Sequence, residues 1–373
     1  MNIININDTS NKLFFIGGVV RDELLGRKSL DVDITYVGNA IEYCSKFGEV
    51  IQENPDFGTV RVKLDAKSDN NYTSSIVDFA STRSESYPHK GHLPVIDKIG
   101  CSLKEDVIRR DFTINALAKS VTTGEIIDYT GGLEDLKNKK LRVLHDNSFI
   151  DDPTRIIRAL KFSVRFGFEL EEHTKKLQEE YLANINYDMS YKRVKKELIE
   201  TFNLNSQIAL EKFINEGIYK LLTEKEVKLP DVNIENLIND YLVAQQLNSL
   251  AAVWLVYTGV FDLSSLPLTK IEQKILDDVP QNDLKTDFEI YKAFAGKALE
   301  TILLYAILKD EKIARHYLDN LKDIKISIKG KDLQNLGIPP SAKYQEIFDK
   351  VLKAKLKNPN MTIEEEIMLA TTL

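Results

Sequence analysis

Residues 17–33 read Gly17-Gly18-Val19-Val20-Arg21-Asp22-Glu23-Leu24-Leu25-Gly26-Arg27-Lys28-Ser29-Leu30-Asp31-Val32-Asp33, and this run joins two chemical devices. The apolar Phe14-Phe15-Ile16 before it is strand-like, so the glycine pair ends a strand and opens a helix whose unbonded N–H groups suit phosphate oxygens. Arg21 adds a fixed cation for the same anion. Asp31 and Asp33 stand two apart in a segment ending Ile34-Thr35-Tyr36-Val37, and strand alternation puts both carboxylates on one face. Carboxylates so placed repel until a cation neutralises them.

Asp78, in Ile76-Val77-Asp78-Phe79-Ala80, is a charge inside an apolar strand-like segment, where an unpaired carboxylate is expensive. It is a candidate third carboxylate. A sheet that brings Asp78 beside Asp31 and Asp33 would hold one or two Mg²⁺ ions, which take oxygen ligands and keep places for water and substrate phosphates. Such ions make an attacking hydroxyl more acidic and stabilise departing pyrophosphate. An Asp-x-Asp pair alone is common on surfaces; the glycine turn and Arg21 give this one its weight.

Arg109-Arg110-Asp111-Phe112-Thr113-Ile114-Asn115-Ala116 places two guanidiniums before an apolar segment. Guanidinium forks suit triphosphate, and Asp111 and Asn115, four apart on a helix, would share a face and orient the arginines or a ribose hydroxyl. The other reading is a helix start capped by Asp111, with the arginines paired to Glu105 and Asp106. Farther on, Asp151-Asp152-Pro153-Thr154-Arg155 opens a helix with Asp152 at or near its cap. Arg155, Arg158 and Lys161 follow at three-residue steps as a cationic stripe, while Ile156, Ile157 and Leu160 turn to apolar neighbours. A carboxylate beside a guanidinium offers the acceptors and donors of a base edge, so such a pair would select a nucleobase without a nucleic-acid template. A capped helix with internal acid–base pairs is the plainer alternative. The five histidines, His89, His92, His145, His173 and His316, form no cluster, and His145-Asp146 lacks the companion ligands of a metal phosphohydrolase.

The 373 residues are 43% apolar and 29% charged, as in soluble proteins, and no run approaches the roughly 18 apolar residues of a membrane span. Met1 to Asn11 is polar and Asn-rich, without the pattern of an export signal. A cytoplasmic protein is expected. Cys44 and Cys101 fit neither a metal spacing nor a disulfide framework and read as packing residues. The net charge of −7 argues against indiscriminate coating of nucleic acid but leaves room for local basic surfaces. Two are visible: Arg155 to Arg165, and the lysines from Lys322 through Lys325, Lys329, Lys331, Lys343, Lys350, Lys353 and Lys355 to Lys357, for which a solvated helix face is the ordinary reading.

Up to about residue 130, strand-like segments recur at Phe14–Ile16, Val32–Val37, Thr59–Leu64, Ile76–Ala80 and Glu125–Tyr129. Beyond about residue 132 the spacing is helical, at Arg155–Phe166, Tyr191–Thr201, Ile208–Leu222 and Ile234–Tyr257. Breaks are expected around 151–153, 229–231, 266–267, 279–282 and 338–341.

The ordered set of Gly17-Gly18-Val19-Val20-Arg21-Asp22, Asp31-Val32-Asp33, Phe57-Gly58-Thr59, Arg83-Ser84-Glu85-Ser86-Tyr87, Arg109 to Ala116 and Asp152-Pro153-Thr154-Arg155 resembles the class II tRNA nucleotidyltransferases, the CCA-adding enzymes, and the related bacterial poly(A) polymerases. The likeness covers roughly residues 13–200, with Asp128-Tyr129-Thr130-Gly131-Gly132 and Ser190-Tyr191-Lys192-Arg193-Val194 inside it, and it is weaker beyond. Gly330-Lys331-Asp332-Leu333 and Leu336-Gly337-Ile338-Pro339 are similar to the family's tail signature, which would touch RNA backbone.

The resemblance implies a seahorse-like α+β chain: a polymerase-β-like nucleotidyltransferase head (1–138), then an all-α neck with a nucleotide-selecting helix (139–205), body (206–275) and tRNA-binding tail (276–373). It implies template-independent, Mg²⁺-dependent transfer of CMP and AMP from CTP and ATP to the 3′ end of tRNA, with release of pyrophosphate. Addition of CC only or A only, poly(A) synthesis and a non-catalytic tRNA-binding protein are the alternatives. Leu93-Pro94 also resembles the wording of the CC-adding and A-adding enzymes. DNA and membranes are not expected partners. By resemblance, Asp31 and Asp33 bind the metal and Asp78 completes the catalytic set. Gly17, Gly18 and Arg21 hold triphosphate, and Arg110, Asp111 and Asn115 bind triphosphate and ribose. Asp152 and Arg155 read the base, with nucleotide contacts from Arg158 and from Lys161, where the family usually has arginine.

Overall fold

A computed structural model describes residues 6, 8–29, 32–64, 76–244 and 252–372. Asp31 lies outside the described residues. The chain forms two compact units, Met1–Leu204 with Ile208–Glu226, and Asn205–Gln207 with Val227–Leu373.

In the first unit, β1 (Leu13–Ile16), α1 (Gly18–Leu24), β2 (Asp33–Tyr36), α2 (Ala40–Cys44), β3 (Gly48–Asn54), β4 (Thr59–Leu64) and β5 (Ile76–Ser81) precede a hairpin of β6 (Arg83–Ser86) and β7 (Val95–Ile99). There follow α3 (Leu103–Ile108), β8 (Ala118–Ser120), β9 (Ile126–Ile127), α4 (Gly132–Lys137), β10 (Lys140–Leu141), α5 (Ser148–Asp151), α6 (Thr154–Phe166), β11 (Glu169–Leu170), α7 (Glu172–Ala183), α8 (Tyr191–Phe202) and α9 (Gln207–Asn215). Among the described residues, one sheet runs β3-β4-β5-β2-β1-β8-β9. β2 and β5 are parallel, with Asp33 beside Asp78; the other described pairings of this sheet are antiparallel.

Alternation divides the sheet into two faces. Leu13, Ile34, Val60, Val62, Val77 and Phe79 bury one face with Ala40 and Cys44 of α2. Burial pushes the Cys44 thiol up to about 12, as suits a packing residue. The opposite face carries Asp33, Arg61 and Asp78. β3 carries no alternation to betray it, because this edge strand buries none of its residues. β9 is shorter than the expected Glu125–Tyr129 because Asp128 leaves the sheet and accepts the backbone N–H groups of Thr130, Gly131, Gly132 and Leu133, turning the chain into α4. Gly132 is required there: a Cβ would stand 2.3 Å from the Thr113 carbonyl oxygen.

α6 is strongly amphipathic and packs on α8, burying Ile156, Ile157, Leu160 and Phe162. The helical expectation over Ile208–Leu222 divides at Gly217, which begins a short 3₁₀ turn, Ile218–Leu221. The second unit is helical: α10 (Ile234–Ala244), α11 (Val253–Thr258), α12 (Lys270–Asp277), α13 (Asp287–Phe294), α14 (Leu299–Leu308), α15 (Glu311–His316), α16 (Gly330–Asn335), α17 (Lys343–Lys357) and α18 (Ile363–Ala370). Local signals start several of them, since Thr269, Thr286 and Thr362 each form a capping box with a glutamate three residues on. Its lysine-rich stretch is only partly a solvated face. Lys331, Lys343, Lys353 and Lys357 are exposed, whereas Lys355 is buried against Glu366, which also accepts the Ser327 and Ile328 N–H groups. Among the described residues, no helix is long and apolar enough to cross a membrane.

Phe79 is fully buried at the centre of the sheet core, so Phe79→Ala is expected to cost about 3–5 kcal/mol of stability, read as a lower urea midpoint.

Candidate active site

On the open face of the sheet, Asp33 and Asp78 are neighbours in register, and Arg61 stands on the other side of Asp78. Arg61 grips that carboxylate with Nε at 2.7 Å and Nη2 at 2.8 Å. A cavity of about 440 Å³ opens here, with Asp33, Asp78, Arg61, Arg83, Arg109 and Arg110 among its lining residues. Carboxylate oxygens are the donors a hard divalent cation takes, so Asp33 and Asp78 fit such an ion chemically. Among the described residues, no group of three or more His, Cys, Asp or Glu is arranged to hold a metal.

The glycine turn differs in detail from the sequence reading. Gly17 has φ +71° and its N–H donates to the Leu117 carbonyl at 3.2 Å, so this N–H is already used within the fold. A Cβ at Gly17 would stand 3.3 Å from Arg110 Nη1, and one at Gly18 would stand 3.5 Å from Arg21 Nη2. Gly17 therefore leaves room for the Arg110 guanidinium, whereas a side chain at Gly18 would meet Arg21 only at ordinary contact distance. Arg21 does not project as an open cation. It is buried, donates to Asp22 from Nε and Nη2 and to Asn115 Oδ1 from Nη1 at 2.6 Å, and lies 4.6 Å from the Phe166 ring centroid.

Arg109 and Arg110 follow the C-terminal end of α3, whose start is the box of Ser102 and Glu105. Asp111 is therefore not a helix cap, and Glu105 serves Ser102 rather than the arginines. Asp106 alone of the two expected acids pairs with both, to Arg109 at 2.6 Å and Arg110 at 3.0 Å. Asp111 and Asn115 do not share a helix either, because Thr113–Asn115 is a single 3₁₀ turn. They nevertheless meet, Asn115 Nδ2 donating to Asp111 Oδ1 at 3.0 Å. Arg158 closes on Asp111 from α6 with Nε at 2.9 Å and Nη2 at 2.6 Å. Burial opposes the charge on Asp111, but Arg158 and the Asn115 hydrogen bond hold its carboxyl well below the usual carboxylate range.

At the start of α6, Asp152 caps through Oδ1, accepting the Thr154 N–H and hydroxyl, although it lies before the N-cap residue Pro153. Its other oxygen accepts from Arg193 of α8. Arg155 is buried and donates to the Ser148 hydroxyl at 2.6 Å, to the Tyr87 hydroxyl at 3.2 Å and to the Arg109 carbonyl at 3.2 Å. Asp152 and Arg155 are thus each held by other groups. The expected cationic stripe is largely neutralised: Arg158 reaches Glu197 at 3.3 Å, and Lys161 is held by Glu197 and Glu200. Lys192, beside them in sequence, is exposed.

Tyr87, Ser148 and Arg193 were not among the expected site residues. Tyr87 and Arg193 lie within the quoted motifs, but their partners are distant in sequence and only the fold supplies them. His145 is likewise not isolated, with Nε2 3.5 Å from Arg155 Nη1 and Nδ1 4.0 Å from Asp151.

Residues 13–142 match the family model described as Poly A polymerase head domain. The head of this chain belongs to that family. An A-adding tRNA nucleotidyltransferase of Aquifex aeolicus is 32% identical over 92% of this chain and 43% of its own length. A CCA-adding enzyme of Bacillus pumilus is 28% identical over 95% of this chain and 91% of its own. Among solved structures, a Thermotoga maritima CCA-adding enzyme complexed with tRNA-CCA is similar with a TM-score of 0.74 and 26% identity, over 97% of this chain and 91% of that one. The chain spans less than half the length of the Aquifex relative. A nucleotidyltransferase head followed by helices, as in the CCA-adding enzymes, is the fold of this chain.

Burial and then Arg155 hold His145 below its ordinary 6.5. Its unfolded form binds a proton more readily, so its contribution to stability is present above about pH 6.5 and is lost as pH falls toward the lower folded value. The fall in urea midpoint between about pH 8 and about pH 5.5 should therefore be smaller in His145→Gln than in the wild type.

Proposed function

We propose that this chain is a cytoplasmic tRNA nucleotidyltransferase that adds CMP and AMP from CTP and ATP to the 3′ end of tRNA, releasing pyrophosphate. The observation that carries the reading is one compact unit holding both a carboxylate face walled by Arg109 and Arg110 and a helix start that carries Asp152 and Arg155, each anchored by its own partners. The first suits a nucleoside triphosphate and the second a base edge. The similar A-adding and CCA-adding enzymes support the same assignment.

In this reading Asp31, Asp33 and Asp78 hold a divalent ion, Mg²⁺, which when bound supplies neutralising charge and a more acidic 3′-hydroxyl. Arg110 secures the triphosphate beside the Gly17-Gly18 turn, and Arg21, held by Asp22 and Asn115, braces that turn from within. Asp111 and Asn115 set the ribose side, and Arg158 and Lys161 brace the nucleotide-selecting helix that carries Asp152 and Arg155. The division into head (1–138), neck (139–205), body (206–275) and tail (276–373) belongs to the same proposal.

Full CCA addition requires extension of transcripts ending before CCA by CTP and then ATP. The Aquifex relative favours A-only addition as a second reading, in which only a transcript ending in CC is extended, and only by ATP. No extension of either transcript with Mg²⁺ present removes both readings. Asp33→Ala should lower the extension rate by about a thousandfold, and wild-type kinetics in that variant would exclude the metal role. Arg155→Ala should reduce the preference for CTP and ATP over UTP and GTP by about 10–100-fold, measured as ratios of kcat/KM.

A further inference from the structure

Beneath the arginine wall of the cavity lies a run of alternating charge. Glu85 of β6 receives Arg83 Nε at 2.7 Å and Arg109 Nη1 at 3.0 Å. Asp106 of α3, fully buried, receives Arg109 Nε and Nη2 at 3.1 and 2.6 Å, the Arg83 N–H at 3.1 Å and Arg110 Nη2 at 3.0 Å. The order is Arg83, Glu85, Arg109, Asp106, Arg110, so the cations outnumber the anions and one positive charge is left in excess.

Arg110 is the end of the run that lies at the glycine turn. Its Nη2 is tied to Asp106, its Nη1 lies against the Gly17 backbone, and its Nε is buried without a hydrogen-bond partner among the described residues. A buried donor left unpaired is costly and awaits an acceptor. Arginine is also rich in rotamers, and nothing in its own short connection after α3 fixes the fork.

We propose that Asp106 is a positioning residue for nucleotide binding: it holds Arg110 in the cavity wall beside Gly17, so that the guanidinium is already in place for the incoming triphosphate. The inference rests on the nucleotide reading above and assigns a task to a side chain that does not line the cavity. Aspartate suits the task because its short arm leaves the carboxylate few rotamers, and both oxygens are already engaged. Glu85 shares the run without touching Arg110, which makes it the internal control.

The test is equilibrium binding of a non-hydrolysable CTP analogue with Mg²⁺ to the whole chain. Asp106→Asn should weaken binding by about 10–100-fold, and Arg110→Ala by a similar factor. The double variant should bind no more weakly than Arg110→Ala alone, because the positioning role of Asp106 runs through Arg110. Glu85→Gln should melt at a lower temperature yet bind as the wild type does. Should Asp106→Asn fail to fold, Asp106→Glu keeps the charge, displaces the carboxylate by one methylene and should show the same loss. Wild-type affinity in either folded Asp106 variant, multiplying penalties in the double variant, or an equal loss in Glu85→Gln overturns the positioning role. A wild-type chain that does not bind the analogue overturns the nucleotide reading itself, and this inference with it.

Discussion

The partly buried pair of Asp111 and Arg158 is the constraint on which the first unit turns. Asp111 stands on the turn after Arg110, and Arg158 on α6 meets it with two hydrogen bonds to one oxygen. The contact continues in both directions. Asn115 links Asp111 to Arg21 at the glycine turn, while Glu197 and Glu200 of α8 take up Arg158 and Lys161. A single chain of polar contacts therefore ties the strand-to-helix turn of the sheet to α6 and α8. Breaking the pair from one side leaves hydrogen-bonding groups unmet at a site only partly open to water, at a cost of about 1–3 kcal/mol.

Magnitudes separate the contacts that can be exchanged for substrate from those that cannot. The Arg61–Asp78 pair has side chains 48% and 44% exposed, and pairs in that setting are worth about 0–1 kcal/mol. A divalent ion can displace Arg61 from Asp78 at small cost. Asp111, with a side chain 11% exposed, offers no such bargain. Its oxygens, like the carbonyl of Asn115 and the fork of Arg21, are largely engaged before any nucleotide arrives. In physical terms these groups fix the shape of the turn after α3 more than they offer free bonds, whereas the buried Nε of Arg110 has no hydrogen-bond partner among the described residues.

Legibility in the sequence followed the same division between local and distant causes. Strands β1, β2, β4 and β5 were readable because alternation or an apolar run marks them, and the break at residues 151–153 because proline and aspartate mark it. The edge strand β3 and the β6–β7 hairpin were not readable, since neither buries a residue. At the site, spacing brought Asp111 and Asn115 together correctly while misjudging the backbone between them as a helix. The pairing of Arg109 and Arg110 with Asp106 was also within reach, being three and four residues apart. What spacing could not supply was the far partner: Arg193 for Asp152, Tyr87 for Arg155, Glu197 for Lys161 and Arg61 for Asp78. Each of those joins elements that only tertiary packing makes neighbours.

The separate anchoring of Asp152 and Arg155 bears on how a protein pair can read more than one base. Had the two formed a salt bridge with each other, a nucleotide would have to break it before gaining any contact, and much of the binding energy would go to that exchange. Here Arg193 and the Thr154 cap hold the carboxylate, while Ser148, Tyr87 and the Arg109 carbonyl hold the guanidinium. Both groups are thus placed in advance by separate partners. For the base reading proposed for them, two groups held apart keep their remaining donors and acceptors independent of each other, which a directly paired Asp–Arg fork, locked by its own bonds, would not.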